Sequence, residues 1–186
     1  IQMRMKKHCG AQYHVEYQLI KAAYYLVKEG KYQCPDDFKA LITQYEHKDY
    51  LVDYHYRQFY YYYDQLDDNT TYEKLRDLIE NIYTNEYLSK QLISWNKGII
   101  KADALSVLPR QTQFFSKFMK LTKERKIVII SDAMRYEVGC NLVEKLQTNP
   151  KCLAHLEMVL GVVPSYTRLG MAALLPHQSL ELTDDY

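Results

Sequence analysis

Apolar residues recur at helical spacing through residues 1–123, and from Lys126 the pattern changes to short apolar runs that alternate with helical stretches. Tyr13, Tyr17, Ile20, Tyr24 and Val27 mark a first helix that stops at Gly30, a residue suited to a C-cap. Pro35-Asp36-Asp37 opens a second helix, running to about Glu46, because proline is tolerated in a first helical turn. A third is predicted over Tyr50 to Leu66. The polar run Asp67-Asp68-Asn69-Thr70 breaks the pattern, and Leu75, Leu78, Ile79, Ile82 and Tyr83 then share one helical face. Further helices are expected over Glu86 to Asn96 and Pro109 to Leu121.

From Lys126 the order reads strand, helix, strand, helix. Ile127 to Ile130 is all apolar and rich in β-branched residues, the pattern of a buried parallel strand, and it ends in Ser131 and Asp132. Ala133 to Leu146 places Val138, Leu142, Val143 and Leu146 on one face, and Thr148-Asn149-Pro150 ends it. Leu156 to Val163 is the second strand expected, and Thr167 to Leu175 the second helix, stopped by Pro176. A strand–helix–strand unit is right-handed in nearly all cases and its strands are parallel, so their carboxyl ends lie on one edge. Asp132 and Thr167, 35 positions apart, are thereby predicted to face one crevice, at the edge where open α/β sheets bind ligands. The fold class expected is mixed: an all-α helical domain over residues 1–123, then the opening βαβα part of an α/β core over 124–186.

Composition adds limits more than directions. The net charge of +1 gives no global field that announces nucleic acid or a membrane surface. No apolar run approaches the roughly 18 residues of a membrane span, and the four cysteines form no CxxC pair, which predicts reduced thiols and a cytoplasmic protein without a membrane partner. Of the 19 tyrosines, 16 precede Lys126 and seven fall between Tyr50 and Tyr63. Phe59-Tyr60-Tyr61-Tyr62-Tyr63 beside Arg57 has the ingredients of a base-stacking platform. Consecutive helical residues point in all directions, however, so packing between helices is the stronger reading.

Two stretches carry candidate chemistry. Asp132 ends the first apolar run, and Pro164-Ser165-Tyr166-Thr167 follows the second. A carboxylate at such an edge suits a divalent cation, and a hydroxyl close to that cation ionises near neutral pH and becomes a nucleophile. Thr167 also stands where free backbone N–H groups of a helix start favour phosphate, with Arg135, Arg168 and Ser165 as possible phosphate ligands. Plainer roles compete: Asp132 as N-cap of the helix that follows, Thr167 or Ser165 as a cap, Arg135 paired with Glu137, Arg168 at the surface. The six histidines show no HxH or HExxH spacing, and His177 is the one nearest the Thr167 helix. GxxxxGK[ST] and GxGxxG are both missing, which counts against P-loop and dinucleotide-binding readings.

The wording IISDAMRYE followed by LGVVPSYTRLGMAALLP resembles the PglZ family, the phosphatase-like component of BREX phage-defence systems, within the alkaline phosphatase superfamily. The resemblance spans Lys126 to about His177 and implies that the chain is an internal piece of a larger protein. It implies a two-metal site, zinc or manganese, with Asp132 as a metal ligand and Thr167 as metal-bound nucleophile. The activity implied is hydrolysis of a phosphate monoester or diester, in a protein that works with other BREX components and with DNA. Further Asp and His ligands would lie beyond Tyr186, so the metal site of these residues is incomplete and the piece alone inactive; Asp184 and Asp185 are not assignable. A non-enzymatic scaffold with a degenerate site is the competing function.

Overall fold

The computed structural model describes residues 11–31, 33–35, 37–100, 108–120 and 125–181. The chain divides into two compact units, Ile1–Ala104 and Leu105–Tyr186. Among the described residues no helix is long and apolar enough to cross a membrane. Asp36, Leu121, Asp184 and Asp185, which figure in the sequence reading, lie outside the described residues, as do one of the four cysteines, Cys9, and one of the six histidines, His8.

Among the described residues of the first unit the regular elements are all helices. α1 spans His14–Glu29, α2 Phe38–Gln44, α3 Tyr50–Tyr63, α4 Glu73–Asn81 and α5 Ser89–Ile100. Asp37 caps α2 by accepting the Ala40 N–H at 2.9 Å, and Asp68 orders the break before α4 by accepting from both N and Oγ1 of Thr70. Gly30 ends α1 as expected, its N–H reaching the Leu26 carbonyl at 2.7 Å. Two of the predicted breaks are bridged instead by π-helical turns: Tyr45–Asp49 joins α2 to α3, and Ile82–Leu88 joins α4 to α5. No Gly or Pro interrupts either run, so nothing stops the helix.

The buried face of α1 is Leu19, Ala22, Ala23 and Leu26, rather than the tyrosine stripe of the sequence reading. Tyr13, Ile20 and Tyr24 are exposed. The cause is the partner. α3 brings Phe59 and Tyr63 into the core, so the helix packed against it must offer small residues there. The tyrosine-rich run is mostly packing: Phe59 and Tyr63 stack at 5.8 Å, Tyr56 stacks on Tyr83 at 3.7 Å, and Tyr61 alone of the five-ring run lies largely in solvent. A buried and a half-buried acid satisfy the hydroxyls. Asp53 accepts from Tyr45 at 2.6 Å and Tyr83 at 3.0 Å, while Glu80 accepts from Tyr56 and Tyr60.

In the second unit the helices are α6, Tyr136–Gln147, and α7, Thr167–Leu174. The helix expected over Pro109 to Leu121 is instead a 3-10 turn, Gln111–Gln113, followed by a π-helical turn, Phe115–Met119. The residues just before it pair elsewhere: Leu160 N donates to Pro109 O at 2.8 Å and Gln111 N to Leu160 O at 2.9 Å, a single parallel bridge between Arg110 and Leu160.

The two strands predicted by the apolar runs are not formed among the described residues. Ile127 and Ile129 are 79% and 88% exposed, so this run is neither laddered nor buried. Over 154–162 burial does alternate residue by residue, with Ala154, Leu156, Met158, Leu160 and Val162 partly covered and Leu153 fully exposed. That is a strand's two-faced pattern without a ladder. A strand is completed by a neighbour's N–H and C=O groups, which an apolar run cannot supply for itself; among the described residues Pro109 and Gln111, on either side of Arg110, supply them at Leu160 only. α6 lies close on this segment because Gly139 has no side chain: a Cβ there would stand 2.9 Å from Leu156 Cδ1.

Candidate active site

Asp132 follows the first apolar run in a turn whose next residue, Ala133, has φ 53°, the left-handed region that alanine rarely occupies. The turn divides the two oxygens of the carboxylate. Oδ1 accepts the Ala133 N–H at 3.0 Å, and Oδ2 accepts the Thr167 hydroxyl at 3.0 Å. Two residues far apart in sequence and predicted to share a crevice are thus in direct contact. Both are exposed, so the pair is open to solutes.

The capping alternatives do not describe these residues. α6 begins at Tyr136 with Arg135 as its N-cap, three residues past Asp132. At α7 the N-cap is Tyr166, with no side-chain cap, and Thr167 is the first helical residue. Its hydroxyl leaves the helix to reach Asp132. The first bond of α7 runs from Gly170 N to Tyr166 O at 3.0 Å, so the N–H groups of the first turn precede it and face outward with no acidic residue in that turn.

Ser165 and Arg168 flank Thr167 and are exposed, one before the helix and one within its first turn. Arg135, also exposed, lies three residues beyond Asp132 at the start of α6. His177 is not brought to the pair: α7 is eight residues long, about 12 Å of rise, and His177 lies past its far end, with Nδ1 2.7 Å from the Leu175 carbonyl.

Two residues near the site were not singled out by the sequence. Glu137, in the first turn of α6, is fully buried. Gln111 reaches the Thr167 segment from 51 and 59 residues away, its Oε1 accepting the Val162 N–H at 3.1 Å and its Nε2 donating to Gly170 O at 3.0 Å. An acid in a helix's first turn is a visible signal for Glu137; nothing local marks Gln111.

The oxygen donors of Asp132 and Thr167 have the chemistry a divalent cation accepts, yet two donors are fewer than such an ion takes. Among the described residues no group of three or more His, Cys, Asp or Glu side chains could hold a metal ion. The residues present therefore fit one side of a cation site.

Residues 111–186 match the family model described as the BREX system PglZ alkaline phosphatase-like domain. Over 181 residues, 94% of this chain, the sequence is 34% identical to an alkaline phosphatase-like protein PglZ of Bacillus cereus (strain H3081.97), of which it covers 21%. Over 118 residues, 58% of the chain, it is 42% identical to an alkaline phosphatase-like protein BrxZ of Escherichia coli O9:H4 (strain HS), of which it covers 14%. The chain thus spans about a fifth or less of the curated relatives it matches. No solved structure matches it. By its wording and its family match, the stretch 111–186 belongs to the PglZ family of alkaline phosphatase-like domains, and the chain as a whole is similar to PglZ and BrxZ relatives.

Proposed function

We propose that the protein carrying this chain hydrolyses phosphate esters with the help of divalent metal ions, zinc or manganese, and does so in phage defence beside other BREX components. The observation that carries this reading is the 3.0 Å contact between the Thr167 hydroxyl and the Asp132 carboxylate at the start of α7. The α/β core of an alkaline phosphatase supplies the frame in this reading, with the runs 127–130 and 156–163 as its first strands.

Asp132 and Thr167 would hold one side of the metal site, which when filled lowers the pKa of an oxygen bound to it. Asp132 accepts the proton-bearing face of the Thr167 hydroxyl and fixes its rotamer, leaving the oxygen's lone pairs turned away from the carboxylate. The first-turn N–H groups of α7 receive the phosphoryl oxygens, and Arg168, Arg135 and Ser165 add charge and hydrogen bonds around them. Thr167 Oγ1 attacks phosphorus in line as its proton passes to Asp132, the bond from phosphorus to the ester oxygen breaks and that oxygen takes a proton from solvent, and water then cleaves the Oγ1–P bond to release phosphate, or a phosphate monoester from a diester. A monoester and a nucleic-acid diester are both compatible with these parts, and DNA is the partner in the second case.

The test is hydrolysis of a monoester and a diester by the complete protein that carries this chain, with zinc or manganese, beside Thr167→Val and Asp132→Ala. Loss of at least about 1000-fold in kcat in each variant is expected for a nucleophile and its metal ligand (about 4 kcal/mol in barrier). Equal turnover in all three removes both residues from the mechanism. A wild-type protein that turns over neither ester with either metal supports the scaffold function instead. Residues 1–186 alone are expected to bind metal weakly and to be inactive, and turnover by them would contradict the incomplete site.

A further inference from the structure

We propose that Gln111 is a positioning residue that sets the Thr167 hydroxyl against Asp132, an inference that rests on the reading of Thr167 as the nucleophile. The segment that carries Thr167 is short: it leaves the Leu160 bridge, passes Pro164-Ser165-Tyr166 and enters α7. One amide side chain holds both ends of it. Gln111 Oε1 accepts the Val162 N–H at 3.1 Å, upstream of the site, and Nε2 donates to Gly170 O at 3.0 Å, one turn into α7. The Gln111 backbone adds a third tie, its N–H to Leu160 O at 2.9 Å.

The fit of the amide is close on both sides. A Cβ at Gly161 would stand 3.6 Å from Oε1, and one at Gly170 would stand 3.4 Å from Nε2. The side chain therefore runs along two residues that have no side chains of their own, and only a group with an acceptor at one end and a donor at the other satisfies both backbone partners. The Gly170 tie has a further effect on the helix. It engages a carbonyl of the first turn and so ties α7 at a second point, three residues along from the Thr167–Asp132 bond. Thr167 is exposed and has little packing to hold it, so its place is set by these hydrogen bonds. A nucleophile displaced by about 1 Å loses on the order of 100-fold in rate, and a second contact that fixes its helix is the device that prevents this.

Gln111 acts through Thr167 and touches no reacting atom, so its test needs a measurement that mere destabilisation would not change. In the complete protein, Gln111→Ala and Gln111→Glu are compared with wild type for ester hydrolysis, thermal unfolding and amide hydrogen exchange. Gln111→Glu keeps an acceptor for Val162 and loses the donor to Gly170, so it separates the two ties. Expected are a fall in kcat of about 10- to 100-fold with KM changed less than about threefold. Faster exchange at the Val162 amide in Gln111→Ala, with the amides of α6 unchanged, is expected with it. A kcat within about twofold of wild type, or a loss that tracks the unfolded fraction, overturns the proposal. A wild-type protein inactive on both esters overturns the nucleophile reading alone. In that event exchange decides: faster exchange at Val162 supports the clamp, and unchanged exchange overturns it.

Discussion

His55 gives the sharpest quantitative expectation, because burial holds its pKa down at about 4 from the usual 6.5. Loss of hydration is the main cause. The Glu29 carboxylate pulls the value up and the Lys21 ammonium pushes it down, both weakly beside burial. The ring lies between two others, stacked on Tyr25 at 5.1 Å and 16° and edge-on to Tyr54 at 5.1 Å. The folded chain therefore keeps His55 neutral while the unfolded chain protonates it. Because the folded pKa is the lower one, stability falls as pH drops through 6.5 and goes on falling until about 4. Between pH 7 and pH 5 the linkage amounts to about 2 kcal/mol if the site were fully dry, and partial exposure reduces it to about 1 kcal/mol. The perturbation is His55→Phe, which keeps the stacked ring and removes the titration. Urea unfolding of wild type and variant, followed by tyrosine fluorescence at pH 7 and pH 5, reads the difference. Wild type should lose about 1 kcal/mol more than the variant over that interval, a difference in which the carboxylates common to both cancel. An NMR titration of the His55 ring should show its midpoint near 4. A midpoint at 6 or above, or parallel pH dependence in the two proteins, would refute the argument that burial governs this group.

Two further expectations concern packing and strain. Phe59→Ala, at a fully buried ring in the centre of the first unit's core, should destabilise by about 3–5 kcal/mol, read as a shift in urea midpoint with little change in slope. Ala133→Gly should stabilise by up to about 1 kcal/mol, because φ 53° is strained for alanine and free for glycine, and a lower melting temperature would show that Ala133 relaxes out of that turn in solution.

The helices of the first unit were legible because apolar periodicity is a local signal, but their faces and joins were not. Tyrosine at 3–4 spacing in α1 marks the rim, where a hydroxyl reaches water, while Ala22 and Ala23 face α3 because two bulky faces cannot approach each other. That choice depends on α3, 30 residues away, and no reading of α1 alone contains it. The second unit shows the reverse. The βαβ argument assumed a ladder that the described residues lack, yet Asp132 and Thr167 are in hydrogen-bond contact. Both follow an apolar run through a short turn, and the turn residues carried the signal. Gln111 could not be found this way, since both partners of its side chain are backbone groups, at Val162 and Gly170, which any sequence supplies.

The departures from local rules gather at one place in the second unit. Ala133 holds a left-handed φ where glycine would be unstrained, and Thr167 turns its hydroxyl out of α7 toward Asp132 rather than back onto the helix. A strained backbone residue costs of order 1–3 kcal/mol and persists only when its surroundings over-determine it. Stability alone gives no reason to keep both, because a solvent-exposed hydroxyl–carboxylate bond contributes at most about 1 kcal/mol. Such concentrated conflict between local preference and observed conformation is what the proposed reading of Asp132 and Thr167 expects. The Gln111 clamp on the same segment agrees with that proposal, since it fixes the helix whose first residue bonds to the turn before Ala133.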